Sequence, residues 1–362
     1  MDERETACEA GRDRDAATGD RAPTRRSPTA VEVARRAEVS QSAVSRTFTP
    51  GASVSERTRA RVLEAADALG YRPNAIARSL ISGRSRMIGL LAAYLDNEFY
   101  PIVLERLARA LQARGYHTLL FIGEPGDRDR QLENLLAYQV DAVVMLSATL
   151  SSALARECLG AAIPVVLFNR DVPDTPSSSV TSDNRDGGRQ VARLLVRTGH
   201  RRIAFLAGDE NSSTNRDRES GFVEELAALG RNVHARAVGH YSAERARAAT
   251  HAFMDAASPP DAIFAANDHM AFSVMDVLRH ERGLRVPDDV SVIGFDDVPQ
   301  AAWAAYDLAT VAQPVDELIR NTIELLFARL DHAAAPASVT LPVRLVVRSS
   351  VHPGRLAGSR GR

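Results

Sequence analysis

The sequence predicts a small all-α headpiece followed by an α/β body of parallel sheets covered by helices. Three observations carry this expectation. Charge is uneven: residues 1–23 carry a formal charge of -3, residues 24–86 carry +7 and residues 87–362 carry -5, within a chain total of -1. A basic segment on an acidic body reads as a polyanion-binding head joined to a different machine. Residues 29–81 show helical spacing broken by capping residues. From Met87 the period changes to near-continuous apolar runs alternating with amphipathic stretches, the pattern of parallel strands buried on both faces.

Each element has its own justification. Residues 1–27 are charged and aperiodic, so a disordered tail is expected. Thr29 and Glu32 form a capping-box pattern, and Val31, Ala34 and Ala37 supply the inner stripe of a first helix. Glu38-Val39-Ser40 breaks it, and Ser40 caps a second short helix over 41–48. Thr49-Pro50-Gly51 ends that helix. Ser55 caps a third, with Val62, Leu63, Ala66 and Leu69 as its inner stripe and Gly70 as its stop. Asn74 caps a last short stretch over 75–81. In the body, strands are predicted at 88–91, 118–122, 142–146, 165–168, 203–207, 262–265 and 291–295. Helices are predicted at 102–114, 187–198, 219–229 and 269–282. Spacing alone leaves open whether these strands make one large sheet or two smaller ones.

Several classes are excluded. The 45% hydrophobic content is globular, and no apolar run is long enough to span a bilayer. The charged N-terminus has no apolar core of a signal peptide, so a cytoplasmic protein is expected. Cys8 and Cys158 cannot build a disulfide framework. Every basic side chain other than histidine is Arg. No GxSxG elbow, P-loop, HExxH or strand-linked GxGxxG is present, and His200 and His234 lack ligand spacing. No enzyme activity, cofactor or metal is therefore expected.

Two helices joined by a tight turn, the second short and polar outside, are the helix-turn-helix layout. Its second helix can enter the major groove. Gln41, Ser42 and Arg46 would then face bases, since Gln suits adenine and Arg suits guanine. Thr29, Ser40 and Ser45 could bond phosphates. The alternative is a small helical bundle with polar caps.

These residues carry a resemblance. Residues 33–46 (VARRAEVSQSAVSR), 54–58 (VSERT), 69–80 (LGYRPNAIARSL), 265–271 (AANDHMA) and 292–297 (VIGFDD) resemble LacI-type (LacI/GalR family) transcriptional regulators. The resemblance implies domains at 28–72 (headpiece), 73–86 (hinge helix and linker) and 87–350 (effector-binding and dimerisation), with a C-terminal tail at 351–362. It implies a hinge that folds on specific DNA and wedges Leu80 into the minor groove. Asn74, Ala77 and Arg78 lie on that stretch. Two departures stand out: Glu38 occupies a turn position where the family often has Gly, and Thr49 stands where Asn is frequent.

For the body, the resemblance implies a periplasmic-binding-protein-like fold: two doubly wound parallel-sheet subdomains, three crossovers and a ligand cleft between them. Ligands in such sheets lie beyond the carboxyl ends of strands. Asn169 and Arg170, Asn267 and Asp268, and Asp296 and Asp297 follow strands, with Asn169, Asp268 and Asp296 the chosen contacts, although helix capping is the plain alternative for each, Asp268 above all. Arg218 matches the family arginine that reaches the effector, Phe99 and Tyr100 match aromatics of the cleft, and Asp96, Tyr241 and Trp303 are weaker effector-binding candidates. The implied partners are double-stranded operator DNA, a small sugar-like effector and a second copy of the chain, with no membrane. The expected function is an effector-controlled repressor. A sugar-binding receptor without a DNA role is the alternative, and a sugar-processing enzyme is a weaker one.

Overall fold

The computed structural model describes residues 28–49, 51–72, 84–92, 95–123, 128–146, 152–172, 175–331 and 335–354. Backbone contacts divide the chain into two compact units, Met1–Ser82 and Gly83–Arg362.

The first unit holds α1 (Ala30–Arg36), α2 (Gln41–Thr47) and α3 (Glu56–Leu69). Each starts where a hydroxyl can take an orphan backbone N–H. Thr29 and Glu32 close a reciprocal capping box, Ser40 accepts from Ala43 N, and Ser55 accepts from Thr58 N. Gly70 ends α3 in the left-handed region at φ 64°. The core is built from Val33, Ala34, Ala37, Val44, Val62, Ala65 and Ala66. Two expected core residues are not in it: Val31 and Leu63 are exposed. The buried stripe of α3 runs through Val62, Ala65 and Ala66. Leu63 sits about 100° round the helix from Val62 and so faces outward.

In the second unit the strands form two sheets, which answers the question the spacing left open. Six strands, β1 (Met87–Ala92), β2 (His117–Ile122), β3 (Ala142–Met145), β4 (Val165–Phe168), β5 (Ser178–Ser182) and β11 (Ser338–Leu341), lie in the order β11-β5-β4-β3-β1-β2. Four more, β6 (Ile203–Ala207), β7 (Ala235–Val238), β8 (Ala262–Ala265) and β9 (Ser291–Ile293), lie in the order β7-β6-β8-β9. Every pairing within both sheets is parallel. A short antiparallel ribbon, β10 (Thr310–Ala312) with β12 (Arg344–Val346), accompanies them.

Helices α4 (Phe99–Ala113), α5 (Arg128–Ala137), α6 (Ser152–Gly160) and α11 (Val315–Leu330) serve the six-stranded lobe; α7 (Asn184–Arg197), α8 (Ser213–Ala228), α9 (Ala243–Asp255) and α10 (Asp268–Asp276) serve the four-stranded one. The chain passes between lobes three times: after Ser182, after Ala312 and after Leu341. The expected helix at 269–282 is α10 continued by a π-helical turn, Val277–Glu281. Strand β5 escaped the sequence reading because it is polar (SSVTS), yet it is mostly buried between β4 and β11.

Helices α7 and α8 pack at backbone contact. A Cβ on Gly188 would stand 2.1 Å from Arg218 O, and one on Gly221 would stand 1.9 Å from Arg185 O. Only glycine allows this approach, which sets the start of α8 beside the sheet ends.

Candidate functional site

On the headpiece, Gln41, Ser42, Ser45 and Arg46 form one exposed stripe of α2, while Ala43, Val44 and Thr47 bury the opposite face. The spacing i, i+1, i+4, i+5 places them together. Arg46 Nε donates to Ser42 O at 3.3 Å, which lays the side chain along the helix. Ser40 Oγ holds the N-cap at 3.2 Å and pairs with Ser42 Oγ at 2.9 Å. Thr29 Oγ1 is engaged with Glu32 in both directions, so it has a local partner that a phosphate must compete with. Glu38 adopts φ 50° in the turn, the left-handed conformation a Gly takes without cost. Its carboxylate meets Arg61 at 2.9 Å across the headpiece. The expected contacts at Asn74, Ala77, Arg78 and Leu80 lie outside the described residues.

In the body, a cavity lies between the lobes. It is lined by Asn97, Phe99, Tyr100 and Asn169 from one lobe, and by Thr214, Arg218, Tyr241, Asn267 and Asp296 from the other. Arg218 is its electrostatic centre and is 2% exposed. Its Nε donates to Asn184 Oδ1 at 2.8 Å, its Nη1 to Ala266 O at 2.5 Å, and its Nη2 meets Asp296 Oδ1 at 3.5 Å. The guanidinium stacks 3.7 Å from the Phe295 ring centroid. Burial pushes the Asp296 carboxyl up from its ordinary value, against the opposing pull of Arg218. Burial also raises the Tyr100 phenol far above its usual range, so it stays neutral. Asp296 accepts a second bond from Gln313 Nε2 at 2.7 Å, and Gln313 Oε1 accepts from Ser182 Oγ at 2.7 Å. The cavity carboxylate is thereby tied to two of the three crossings between lobes.

At the cavity margin, His269 Nδ1 of α10 lies 3.2 Å from Glu98 Oε2, joining one lobe to the other. Burial is the largest single influence on Glu98 and acts against its charged form, but the hydrogen bond from His269, a backbone hydrogen bond and the His269 charge together outweigh it, so its pKa is lowered. The same bond raises that of His269.

The cavity brings together six residues expected from the sequence: Phe99, Tyr100, Asn169, Arg218, Tyr241 and Asp296. Three others are not brought to it. Asp96 and Trp303 are exposed. Asp268 is fully buried and turned into the lobe, where Oδ2 accepts from Val298 N at 3.0 Å and Oδ1 from Thr310 Oγ1 at 2.6 Å. Burial first, then the charge of Asp296, raises its pKa. The reason is helix phase. Asn267, not Asp268, is the N-cap of α10, so Asp268 starts the helix pointing inward. The sequence reading missed Asn97 and Thr214, and of the strand-end pair Asn267–Asp268 it chose Asp268. Asn97 and Asn267 each adjoin a residue it chose, so the error there was a shift of one position.

Among the described residues, no cluster of three His, Cys, Asp or Glu side chains could hold a metal, and no helix is long and apolar enough to cross a membrane.

Comparison with known proteins agrees with both units. Residues 29–74 match the model for bacterial regulatory proteins of the lacI family, and residues 192–351 match a periplasmic binding protein-like domain. The HTH-type transcriptional regulator CelR of Thermobifida fusca is 35% identical over 337 residues, covering 90% of this chain and 99% of the relative. A solved structure of a transcriptional regulator CelR–cellobiose complex superposes with a TM-score of 0.69 at 33% identity, covering 89% of this chain and 99% of that one. The lac repressor dimer bound to operator and the anti-inducer ONPF gives a TM-score of 0.81 at 28% identity, covering 90% and 99%. The chain belongs to the LacI family of DNA-binding transcriptional regulators, a class of regulators and not of enzymes.

Proposed function

We propose that this regulator is a repressor that binds operator DNA as a dimer and senses a small sugar-like effector in the cavity between its lobes. The exposed stripe of Gln41, Ser42, Ser45 and Arg46 is the base- and phosphate-contacting surface, and the headpiece is joined to the body through residues 73–86. The observation that carries the effector role is the cavity itself: polar and aromatic side chains from both lobes converge there, and Asp296 is hydrogen-bonded through Gln313 to Ser182. A ligand bound there is in a position to alter the angle between lobes, with reciprocal coupling to DNA affinity. A transcriptional regulator CelR was solved with cellobiose, which supports a sugar, and the lac repressor as a dimer on operator. Strand β2 is a sheet edge with Leu120 and Ile122 exposed, a surface suited to a second copy. A regulator of this kind works on the chromosome, so we place it in the cytoplasm with the nucleoid.

The test is selection of a binding site from random duplexes, followed by titration with and without sugars. A pseudo-palindromic site bound with a steep salt dependence, and released by a sugar, is expected. Salt-independent or absent DNA binding would remove the reading.

A further inference from the structure

A second cavity, of about 610 Å³, shares no lining residue with the one between the lobes. It sits on the four-stranded lobe, between the end of α7 and the segment that follows β12. Small-molecule sites commonly have this size. Its walls are set by the fold. His352 N donates to Ser291 Oγ at 3.0 Å and Ser350 Oγ donates to Val292 O at 2.6 Å, which fastens the segment along β9. Gly354 closes against the end of α7, where a Cβ would stand 2.8 Å from Thr198 Cα. Much of the lining is apolar: Leu194, Pro287, Val347, Val351 and Pro353 contribute to it. Val347 is 59% exposed, so the fold leaves it uncovered.

The ionisable groups at this cavity are of one sign. Arg197, Arg348 and His352 line it, and no Asp or Glu is among its described lining residues. Arg348 is paired with Asp297 at 2.7 Å. The Arg197 side chain is exposed and, among the described residues, has no ion pair or hydrogen bond. His352 Nδ1 accepts from Gly354 N at 3.0 Å, so the neutral ring carries its proton on Nε2. One unpaired cation and one ring N–H thus border an apolar space. We propose that this cavity is a second ligand site, and that it takes a singly charged carboxylate with an apolar aryl or alkyl body. The Arg197 fork suits the two oxygens of a carboxylate, His352 Nε2 adds a donor, and the apolar body covers Val347, Val351 and Pro353. A sugar fits poorly, because its hydroxyls would meet carbon. Residues 355–362 (RLAGSRGR) follow directly but hold three Arg and no acidic side chain, so like charges oppose their docking there. The site stands whatever the cavity between the lobes holds.

The purified full-length protein is titrated with phenylacetate, naphthoate and octanoate, and with the neutral amide of each, by calorimetry and thermal shift. At least one carboxylate is expected to bind, with its amide at least about tenfold weaker. Arg197→Gln removes the unpaired cation, and Val347→Asp sets a negative charge at the mouth; both positions are exposed. Each is expected to weaken the carboxylate about tenfold, and the melting temperature without ligand is the folding control. Neither residue lines the cavity between the lobes, so the paired losses locate the ligand. No binding by any carboxylate, the result if residues 355–362 fill the space, overturns the inference. So does equal or tighter binding of the amide, or an affinity unchanged in either variant.

Discussion

In the headpiece, the helix that carries the exposed stripe is set by partners a turn away. Ser40 Oγ takes the N–H of Ala43, and Arg46 Nε reaches back to Ser42 O, separations of 3 and 4 residues. In the body cavity the partners are distant in sequence. Arg218 meets Asn184 and Asp296 across 34 and 78 residues, and Glu98 meets His269 across 171. The headpiece core consists of Val and Ala, while the body core is filled by Phe168, Phe205, Phe222, Phe264 and Phe295 and by long aliphatics. A reading surface made of local bonds can be altered one residue at a time. A cavity made of distant bonds responds as a network, so single changes there reach further.

The sharpest break in that contrast is Arg218→Ala. It leaves Asp296 buried without its cation, so a loss of about 3–5 kcal/mol of stability is expected, read as a lower denaturation midpoint of the body. A loss below about 1 kcal/mol would show that the network is looser than its geometry. Arg46→Ala is next and opposite in kind: roughly 1–3 kcal/mol of specific DNA affinity lost, one base preference relaxed, and the melting temperature unmoved. Unchanged selectivity would remove Arg46 from the reading surface.

The pH dependence of the lobe-to-lobe contact comes third. The raised pKa of His269 means its contribution is fully present below the ordinary histidine value and is lost as pH rises through the raised one. The lowered pKa of Glu98 makes its share present above the ordinary carboxylate value and lost as pH falls through the lowered one. The contact is therefore strongest in mildly acidic solution and weakens as pH rises past the histidine range. Asp96 and Asp296 also face His269 and favour its charged form. Sugar affinity measured from pH 5.5 to 8.5 should fall with pH in the native protein, and Glu98→Gln should flatten the curve. Parallel curves for both proteins would exclude the pair.

The smallest effect is expected at Glu38→Gly. Releasing the φ 50° strain should gain about 1 kcal/mol, offset in part by the exposed ion pair to Arg61, worth about 0–1 kcal/mol. A stabilised headpiece with unchanged body melting confirms that the turn is a local matter; a destabilised one would mean the ion pair outweighs the strain.

Much of this molecule was legible before its fold was known. Thr29, Ser40, Ser55 and Gly70 act at the helix ends where the sequence put them, because a cap is a bond between residues three or four apart. Apolar runs such as Val165–Phe168 became buried strands for the same local reason. The failures have a common cause. Leu63 and Val31 are apolar, yet face solvent; only the packing of three helices decides which arc of each is inner. Gln313 gave no signal in its own segment, since its meaning lies in Ser182 and Asp296.

The sequence by itself determined the two-part organisation, the capped headpiece helices, the strand-helix alternation of the body and the family. All of these depend on spacing, charge and motifs within short windows. Tertiary structure alone decided that the strands divide into two sheets, that polar β5 is an inner strand, and that Asn267 lines the cavity while Asp268 turns into the core. Those outcomes depend on helix phase and on which distant segments share a space, and neither is a property of any short stretch of chain.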